Sequence, residues 1–387
     1  MKKILFFVIF FSINSLCAEN NNLKKECITD VVKIDFNFSG TGNVLCKIID
    51  SRYIKIFIKP ELDDSINPSP WFSFRKSKHS ESIKVELDYM DYSHRYYPKV
   101  STDKINWKSI DKSSISLSKK DKVIAIDFPP SVQQEYIASQ ELVTESWYYD
   151  WYDKLEGSGK VKAEVIGFSV LRKPIIMFSV EGDTKNPYIL IIGRQHPPEV
   201  TGVFAIKSFI NELISSNELS ENFLSQYNVI FIPLMNPDGV ENGYWRYNEN
   251  KKDLNRDWGK FSQPETIAVN EQLNKFITNR RLILFIDFHS TYKNIFYISD
   301  TFNSSIKKEF LKYWLDDSSA DLLNLGYDYL IINSKAIKNG VAKNYIHNKF
   351  KVPSLTYEVS DTENRNKIKK SSSILAKKMM ENLLKLD

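Results

Sequence analysis

Beyond about residue 133 the sequence alternates between continuous apolar runs and stretches of helical periodicity, and this alternation limits the possible folds most strongly. The helical stretch at 200–214 places Val203, Phe209 and Leu213 on a single apolar face. The apolar runs, which are typical of buried strands, lie at 188–192, 229–234, 282–288 and 354–359. Strands that alternate with helices predict an α/β fold, in which helices flank both faces of a mixed, mostly parallel sheet. Catalytic groups of such folds gather at the carboxyl ends of the strands.

The preceding part of the chain, residues 30–130, has a different pattern. Short runs rich in Ile, Val, Phe and Tyr alternate with turn residues such as Ser39-Gly40, and no long helical period interrupts them. The strand-like runs lie at 31–38, 53–58, 71–75, 83–89 and 123–128. This pattern predicts an all-β sandwich. We therefore expect a β-sandwich domain at 19–132 and an α/β domain at 133–387.

The first 18 residues have the features of a secretory signal peptide. Lys2 and Lys3 precede an apolar run at 4–13, and Ala18 offers a small residue for cleavage. The run is shorter than the roughly 20 residues of a membrane-spanning helix, although a retained anchor is the alternative. The sequence therefore predicts an exported protein, periplasmic or secreted, without a stable membrane span after cleavage.

Charge and cysteine content exclude some partners and leave one question open. The formal net charge of +5 falls to about +3 without Lys2 and Lys3, which is too mild and too evenly spread to predict nucleic-acid binding. Removal of the signal leaves Cys27 and Cys46. They could form one disulfide in an oxidising compartment or remain two thiols, because pairing cannot be deduced from sequence.

Two motifs at predicted strand ends have the residue types of a metal site. His196 and Glu199 are separated by two residues in the turn after the strand at 188–192, so both could bind one zinc ion. His289 follows the strand at 282–288 and completes a set of two imidazoles and one carboxylate. Three protein ligands leave the fourth tetrahedral position for water, the arrangement of a catalytic zinc.

Two further segments carry groups suited to hydrolysis. The stretch 235–258 contains Asn-Pro-Asp-Gly, Arg246 and the pair Asn255-Arg256, and arginine matches the planar geometry of a carboxylate. A turn with solvated arginines is the simpler interpretation of that stretch. Glu358 lies inside an apolar strand, and near a zinc-bound water it would be a general base.

Together these motifs resemble the M14 zinc metallocarboxypeptidases. The family pattern of HxxE, Asn-Pro-Asp-Gly, Arg, Asn-Arg, a ligand His and a late Glu occurs here in that order over residues 196–358. The strand-rich region before it makes the chain similar to the cytosolic carboxypeptidase-like branch. The resemblance implies a zinc carboxypeptidase domain at 133–387 and a peptide substrate with a free C-terminal carboxylate. That branch includes enzymes that process tubulin tails. An exported protein departs from the usual location of the branch, so the resemblance does not imply a tubulin-type substrate.

The resemblance also implies the metal centre and the catalytic groups. His196, Glu199 and His289 match the ligands of one Zn²⁺ ion. Asp253 matches the acidic residue that orients the first ligand histidine. Glu358 matches the general base that deprotonates the zinc-activated water.

Three further positions match groups that bind the substrate. Arg246 matches the arginine that polarises the scissile carbonyl and stabilises the oxyanion. Asn255 and Arg256 match the pair that binds the terminal carboxylate. The family's side-chain pocket residue corresponds to the region of Val341, Ala342 and Lys343.

The pocket and the substrate leave alternatives. Lys343 facing the pocket would favour an acidic terminal residue, Ala342 would leave a roomy apolar pocket, and a solvated surface Lys343 is equally open. Peptidoglycan stem peptides are an alternative substrate, because the protein is predicted to be exported. A non-catalytic zinc- or peptide-binding module is the rival function, and the sequence does not fix the oligomeric state.

Overall fold

The computed structural model of the protein describes residues 23–63, 68–118, 122–183, 185–279, 282–300, 309–334 and 339–385. The predicted signal peptide lies outside the described residues. Within the described part of the chain, no helix combines the length and apolarity needed to cross a membrane.

The N-terminal region folds into two facing β-sheets, as the strand-rich pattern predicted. One sheet has the spatial order β1 (Glu26–Ile28), β2 (Lys33–Asp35), β5 (Ser73–Lys76), β11 (Glu135–Ala138), β7 (Lys99–Ser101) and β8 (Lys108–Ser109). The other has the order β3 (Asn43–Asp50), β4 (Tyr53–Lys59), β6 (Ile83–Asp88), β10 (Val123–Phe128) and β9 (Ile115–Leu117). The pairings are antiparallel except for β4 with β6. β11 lies beyond residue 132, where we placed the end of this domain.

An apolar core and a disulfide join the two sheets. Alternate residues of β4 and β6 point inward, among them Ile56 and Val85, which are fully buried. Phe74 of β5 meets Phe128 of β10 edge to face at 6.5 Å between ring centroids. Cys27 of β1 is bonded to Cys46 of β3, so the cysteine pair is oxidised and links one sheet to the other.

The rest of the chain forms the predicted α/β structure around an eight-stranded sheet. The spatial order is β12 (Lys162–Phe168), β13 (Pro174–Val180), β15 (Asn228–Ile232), β14 (Tyr188–Gly193), β16 (Leu282–Thr291), β19 (Ser354–Ser360), β17 (Ile295–Ser299) and β18 (Leu330–Asn333). The central strands β15, β14, β16 and β19 are parallel, whereas β12, β13 and β17 make antiparallel pairs. The predicted fold class is therefore confirmed.

Helices cover both faces of this sheet because its strands are apolar on both sides. In β14, Ile189 and Ile191 point to one core, whereas Leu190 and Ile192 point to the other. The helices are α1 (Glu145–Glu156), α2 (Val200–Leu213), α3 (Glu218–Gln226), α4 (Pro237–Asn242), α5 (Pro264–Asn279), α6 (Phe310–Asn324), α7 (Ala342–Phe350) and α8 (Arg365–Leu384). α2, α6 and α8 contribute to the first core, and α5 and α7 contribute to the second. The carboxyl ends of the central strands are left at one edge.

Candidate active site

The central parallel strands bring distant parts of the sequence to one edge of the sheet. His196 follows β14 in the turn that leads to α2, His289 lies near the end of β16, and Glu358 lies in β19. The parallel register pairs Gly193 with Phe288 and His289 with Glu358. Because side chains alternate between the faces of a strand, this pairing puts the imidazole and the carboxyl side by side.

His196, Glu199 and His289 converge on one point. The Nδ1 atom of His196 lies 2.8 Å from Oε1 of Glu199, and Nδ1 of His289 lies 2.7 Å from Oε2 of the same carboxylate. The potential ligand atoms lie within 4.8 Å of one another, and all three residues are buried. Among the described residues, no other group of three His, Cys, Asp or Glu side chains meets this condition.

The turn after β14 holds the first two of these side chains in place. Arg194 has a left-handed backbone with φ of 56°, and its buried Nε donates to the carbonyl oxygen of Pro197 at 2.8 Å. Glu199 is the N-cap residue that precedes α2, and its carboxylate does not cap the helix but contacts His196. The side chain of Asn236 fixes the turn from outside by donating to the carbonyl oxygen of Gln195 at 3.1 Å.

The other nitrogen of each ligand histidine faces an acidic side chain. Nε2 of His196 lies 3.0 Å from Oδ1 of Asp253, and Nε2 of His289 lies 2.9 Å from Oδ2 of Asp287. Both nitrogens of each imidazole face carboxylates, which only accept. With hydrogens on the two Nε2 atoms to satisfy Asp253 and Asp287, each Nδ1 would present its lone pair to a metal. Gln195 donates to Asp287 at 2.8 Å and holds that carboxylate in turn. Two imidazoles, one carboxylate and these outer carboxylates fit a single Zn²⁺ ion.

Burial and neighbouring charges push the two glutamates of the site in opposite directions. Burial alone would raise the pKa of Glu199, but the imidazoles of His196 and His289 pull it well below its usual range. Burial raises the pKa of Glu358 to about 7, and the negative charge of Glu199 acts in the same direction. The site therefore contains one carboxylate that is held ionised and one carboxyl that titrates near neutrality.

The predicted substrate-binding residues line a cavity of about 360 Å³ that opens onto the three ligands. Arg246 is linked to the ligand His196 by the Asp253 carboxylate, to which Nε of Arg246 donates at 2.8 Å. Asn255 and Arg256 lie on a 3₁₀ turn immediately after Asp253. The amide oxygen of Asn255 accepts from the backbone of Ala342 at 2.9 Å, which joins this turn to the start of α7.

Lys343 is buried and faces the cavity, so it is not a solvated surface lysine. Its Nζ donates to Oγ of Ser299 at 2.6 Å and to Oγ of Ser334 at 2.9 Å. Burial lowers its pKa to about 8. Ala342, the alternative pocket residue, packs into the second core instead.

Some residues of the site were not predicted from the sequence. Asp287 stands two residues before His289 on the same strand, and this spacing could have identified it because side chains two apart share a face. Ser69 and Arg95 of the N-terminal region also line the cavity. Arg95 donates to Asp361, just after β19, at 2.8 Å. No local pattern connects these N-terminal residues with the metal ligands.

Comparisons with known proteins identify carboxypeptidases among the proteins to which this chain is similar. The chain is 31% identical over 144 residues to cytosolic carboxypeptidase 1 of Gallus gallus, a match that covers 36% of this chain and 11% of the relative. The chain thus spans about a tenth of the length of the curated relatives that it matches first.

Two solved structures share the fold over nearly the whole chain. A metallo-carboxypeptidase from Burkholderia cenocepacia superposes with a TM-score of 0.72 and 18% identity, covering 92% of this chain and 98% of that one. A metallo-carboxypeptidase from Pseudomonas aeruginosa, in complex with (2-guanidinoethylmercapto)succinic acid, gives 0.74 and 18%, covering 92% and 100%. The Peptidase_M14 family, described as zinc carboxypeptidase, matches residues 148–382. The chain therefore belongs to the Peptidase_M14 family of zinc carboxypeptidases.

Proposed function

We propose that the protein is an exported, zinc-dependent carboxypeptidase that hydrolyses the C-terminal peptide bond of peptides, with Glu358 as general base. The observation that supports this most directly is the register of His289 with Glu358, which puts the carboxyl beside the metal ligands. Oε2 of Glu358 finds no hydrogen-bond partner among the described residues. With a pKa of about 7, this carboxyl can both take up and release a proton near neutral pH.

Each step of the hydrolysis has a group of this chain to perform it. Bound zinc would supply a Lewis acid that lowers the pKa of a water molecule to about 7. Glu358 takes a proton from the attacking water as its oxygen adds to the scissile carbonyl carbon. The guanidinium of Arg246 binds the carbonyl oxygen as it becomes negative. When the C–N bond breaks, Glu358 gives the proton to the leaving amine.

Asn255 and Arg256, which lie near the candidate metal ligands, would restrict cleavage to the C-terminal end of the substrate peptide. Arg256 and Asn255 line the same cavity as the ligands and suit a substrate carboxylate, with which arginine makes paired hydrogen bonds. A terminal carboxylate bound there places the last peptide bond at the metal. The proposed products are a free amino acid and a peptide shortened by one residue.

We propose that the side chain removed is acidic. Lys343 is a buried cation in the cavity wall, and two of the three donors of an ammonium go to serine hydroxyls. A carboxylate of a terminal Asp or Glu would neutralise this charge, whereas an apolar side chain would leave it uncompensated.

Export is part of the same proposal, and so is the division into an N-terminal β-sandwich domain and a zinc carboxypeptidase domain. The signal-peptide features of residues 1–18 and the oxidised Cys27–Cys46 pair both suit an oxidising compartment outside the cytoplasm. Mass spectrometry of the mature N-terminus, combined with cell fractionation, tests this part. A chain that keeps residues 1–18 and remains in the cytoplasm would contradict it.

The activity is tested with a pool of peptides randomised at the C-terminus, run beside purified stem peptides. We expect the enzyme to release single C-terminal residues, preferentially Asp and Glu. A zinc chelator should abolish this release. Release only from stem peptides would instead support the peptidoglycan alternative. Glu358→Gln should lower kcat by about 10³-fold with zinc still bound. A protein that binds peptides equally well before and after this substitution, and cleaves none, is the binding module.

A further inference from the structure

The backbone segment 241–247, which carries Arg246, is hydrogen-bonded to the N-terminal β region at five of its seven residues. The amide of Gly40 donates to the carbonyl oxygen of Glu241 at 2.7 Å, and that of Gly42 donates to Asn242 at 3.1 Å. Gly243 has a φ of 67°, and a Cβ atom there would lie 2.4 Å from the amide nitrogen of Gly42. Only glycine permits this close approach.

One carboxylate of the β region binds the part of this segment that contains the arginine. Glu61, just after β4, accepts from the amide of Trp245 at 2.8 Å, of Arg246 at 2.9 Å and of Tyr247 at 2.7 Å. The indole of Trp245 donates to the carbonyl oxygen of Trp71 at 3.1 Å and anchors the same stretch a second time. Trp245, Arg246 and Tyr247 are all buried.

We propose that Glu61 is a positioning residue for Arg246, so that the N-terminal β region completes the active site. This inference rests on the proposed function. Three successive amides outside any helix or strand need an acceptor when they are buried, and Glu61 supplies it for all three. Asp253 binds the guanidinium of Arg246, and Glu61 binds the backbone amide of the same residue. Arg246 is thus fixed at both ends. Removal of Glu61 frees the backbone end, and a displacement of about 1 Å of such a group costs roughly 10²-fold in rate.

The proposal is tested with Glu61→Ala and Glu61→Gln in the full chain. We expect Glu61→Ala to lower kcat by about 10- to 100-fold while KM changes by less than about threefold. Glu61→Gln keeps an oxygen that can accept from two of the amides, so its kcat should lie between wild type and Glu61→Ala. Zinc content should stay at one ion per chain, because neither variant touches a ligand.

Glu141→Ala is the matched control. Glu141 lies three residues after β11, the last strand of the β region, and its carboxylate joins that strand's end to α8, since it accepts from Nε and Nη2 of Arg365 at 2.9 and 2.8 Å. It makes none of the contacts with segment 241–247 described above. Its kcat should therefore stay close to that of wild type.

A double-mutant cycle separates positioning from general damage. In an Arg246→Ala background, Glu61→Ala should lower kcat no further, because the group that it positions is gone. An equal loss in both backgrounds, or an unchanged kcat in Glu61→Ala, would overturn the inference. Should Glu61→Ala fail to fold, the same cycle with Glu61→Gln decides. An inactive wild type would instead contradict the proposed function itself.

Discussion

Asp253 lies between His196 and Arg246 and connects the metal centre to the arginine. Its Oδ1 atom accepts from Nε2 of His196 at 3.0 Å, and its Oδ2 atom accepts from Nε and Nη2 of Arg246 at 2.8 and 2.7 Å. Burial would raise the pKa of Asp253, but the imidazole of His196 and the guanidinium of Arg246 keep it well below its usual range. One ionised carboxylate thus orients a ligand and a substrate-binding group together.

We expect Asp253→Asn to weaken zinc binding. The amide keeps the size of the carboxylate but can present an NH₂ group to His196, so the imidazole loses its orientation. Loss of such an outer partner costs about 10- to 100-fold in metal affinity. Competition with a chromogenic chelator measures the Kd. Asp257→Asn is the control of equal charge, since Asp257 accepts from Ser262 and Gln263 and not from a ligand. Equal zinc affinity in wild type and Asp253→Asn would contradict the assigned role.

The two arginines should give different kinetic defects. Arg256→Ala should mainly raise KM, because the terminal carboxylate is bound equally in the ground and transition states. Arg246→Ala should mainly lower kcat, by about 10²- to 10³-fold, because its partner oxygen becomes negative only during the reaction. Steady-state kinetics on one dipeptide substrate measure both. Reversed phenotypes would mean that the two roles are exchanged.

The sheet and its helices could be predicted because each signal is local. Continuous apolar runs gave the central strands to within a few residues, since strands buried on both faces have no polar alternation to confuse them. The helices α3, α4 and α7 were not predicted, because each spans only six to nine residues and so has too few turns for a clear helical period. The edge strand β18 was missed because its exposed positions carry no burial pattern.

The site residues that could be predicted are likewise those that lie close together in the sequence. His196 and Glu199 share one turn, so their spacing is visible in the sequence, and Asn255 and Arg256 are adjacent. Glu61 and Arg246 are 185 residues apart in the sequence, and Glu61 follows a strand of the N-terminal β region. Its carboxylate binds backbone N–H groups, which every residue except proline has, so no side-chain pattern can reveal the contact. Such a contact depends on how the β region packs against the peptidase region.

The disulfide should contribute to stability. Cys27 and Cys46 are 19 residues apart and join the two sheets of the sandwich. Closing a loop of this size stabilises a fold by about 3 kcal/mol, chiefly by restricting the unfolded chain. The double variant Cys27→Ser, Cys46→Ser should therefore unfold at a lower denaturant concentration than the oxidised protein. A midpoint equal to that of wild type would show that the sandwich does not depend on the bond.

Lys343→Met should change the preference for the terminal residue. Methionine has a similar length and no charge, so the pocket keeps its shape and loses its cation. We expect kcat/KM for a peptide ending in Glu to fall at least roughly 30-fold, which corresponds to a loss of about 2 kcal/mol of transition-state stabilisation. The same peptide ending in Leu should be cleaved as well as before, or better. Parallel losses for both peptides would indicate damage to the site and not a change of specificity.

The charge on Lys343 should also make this preference depend on pH. Burial lowers the pKa of Lys343 to about 8, so the ammonium is present below that pH and is lost above it. The ratio of kcat/KM for the Glu peptide to that for the Leu peptide should therefore be highest below pH 8 and fall as the pH rises through it. The ratio cancels titrations that affect both substrates, including that of Glu358, because kcat/KM reports the free enzyme. In Lys343→Met the ratio should be low and independent of pH. A wild-type ratio that stays constant to pH 10 would mean that the lysine does not bind the terminal side chain.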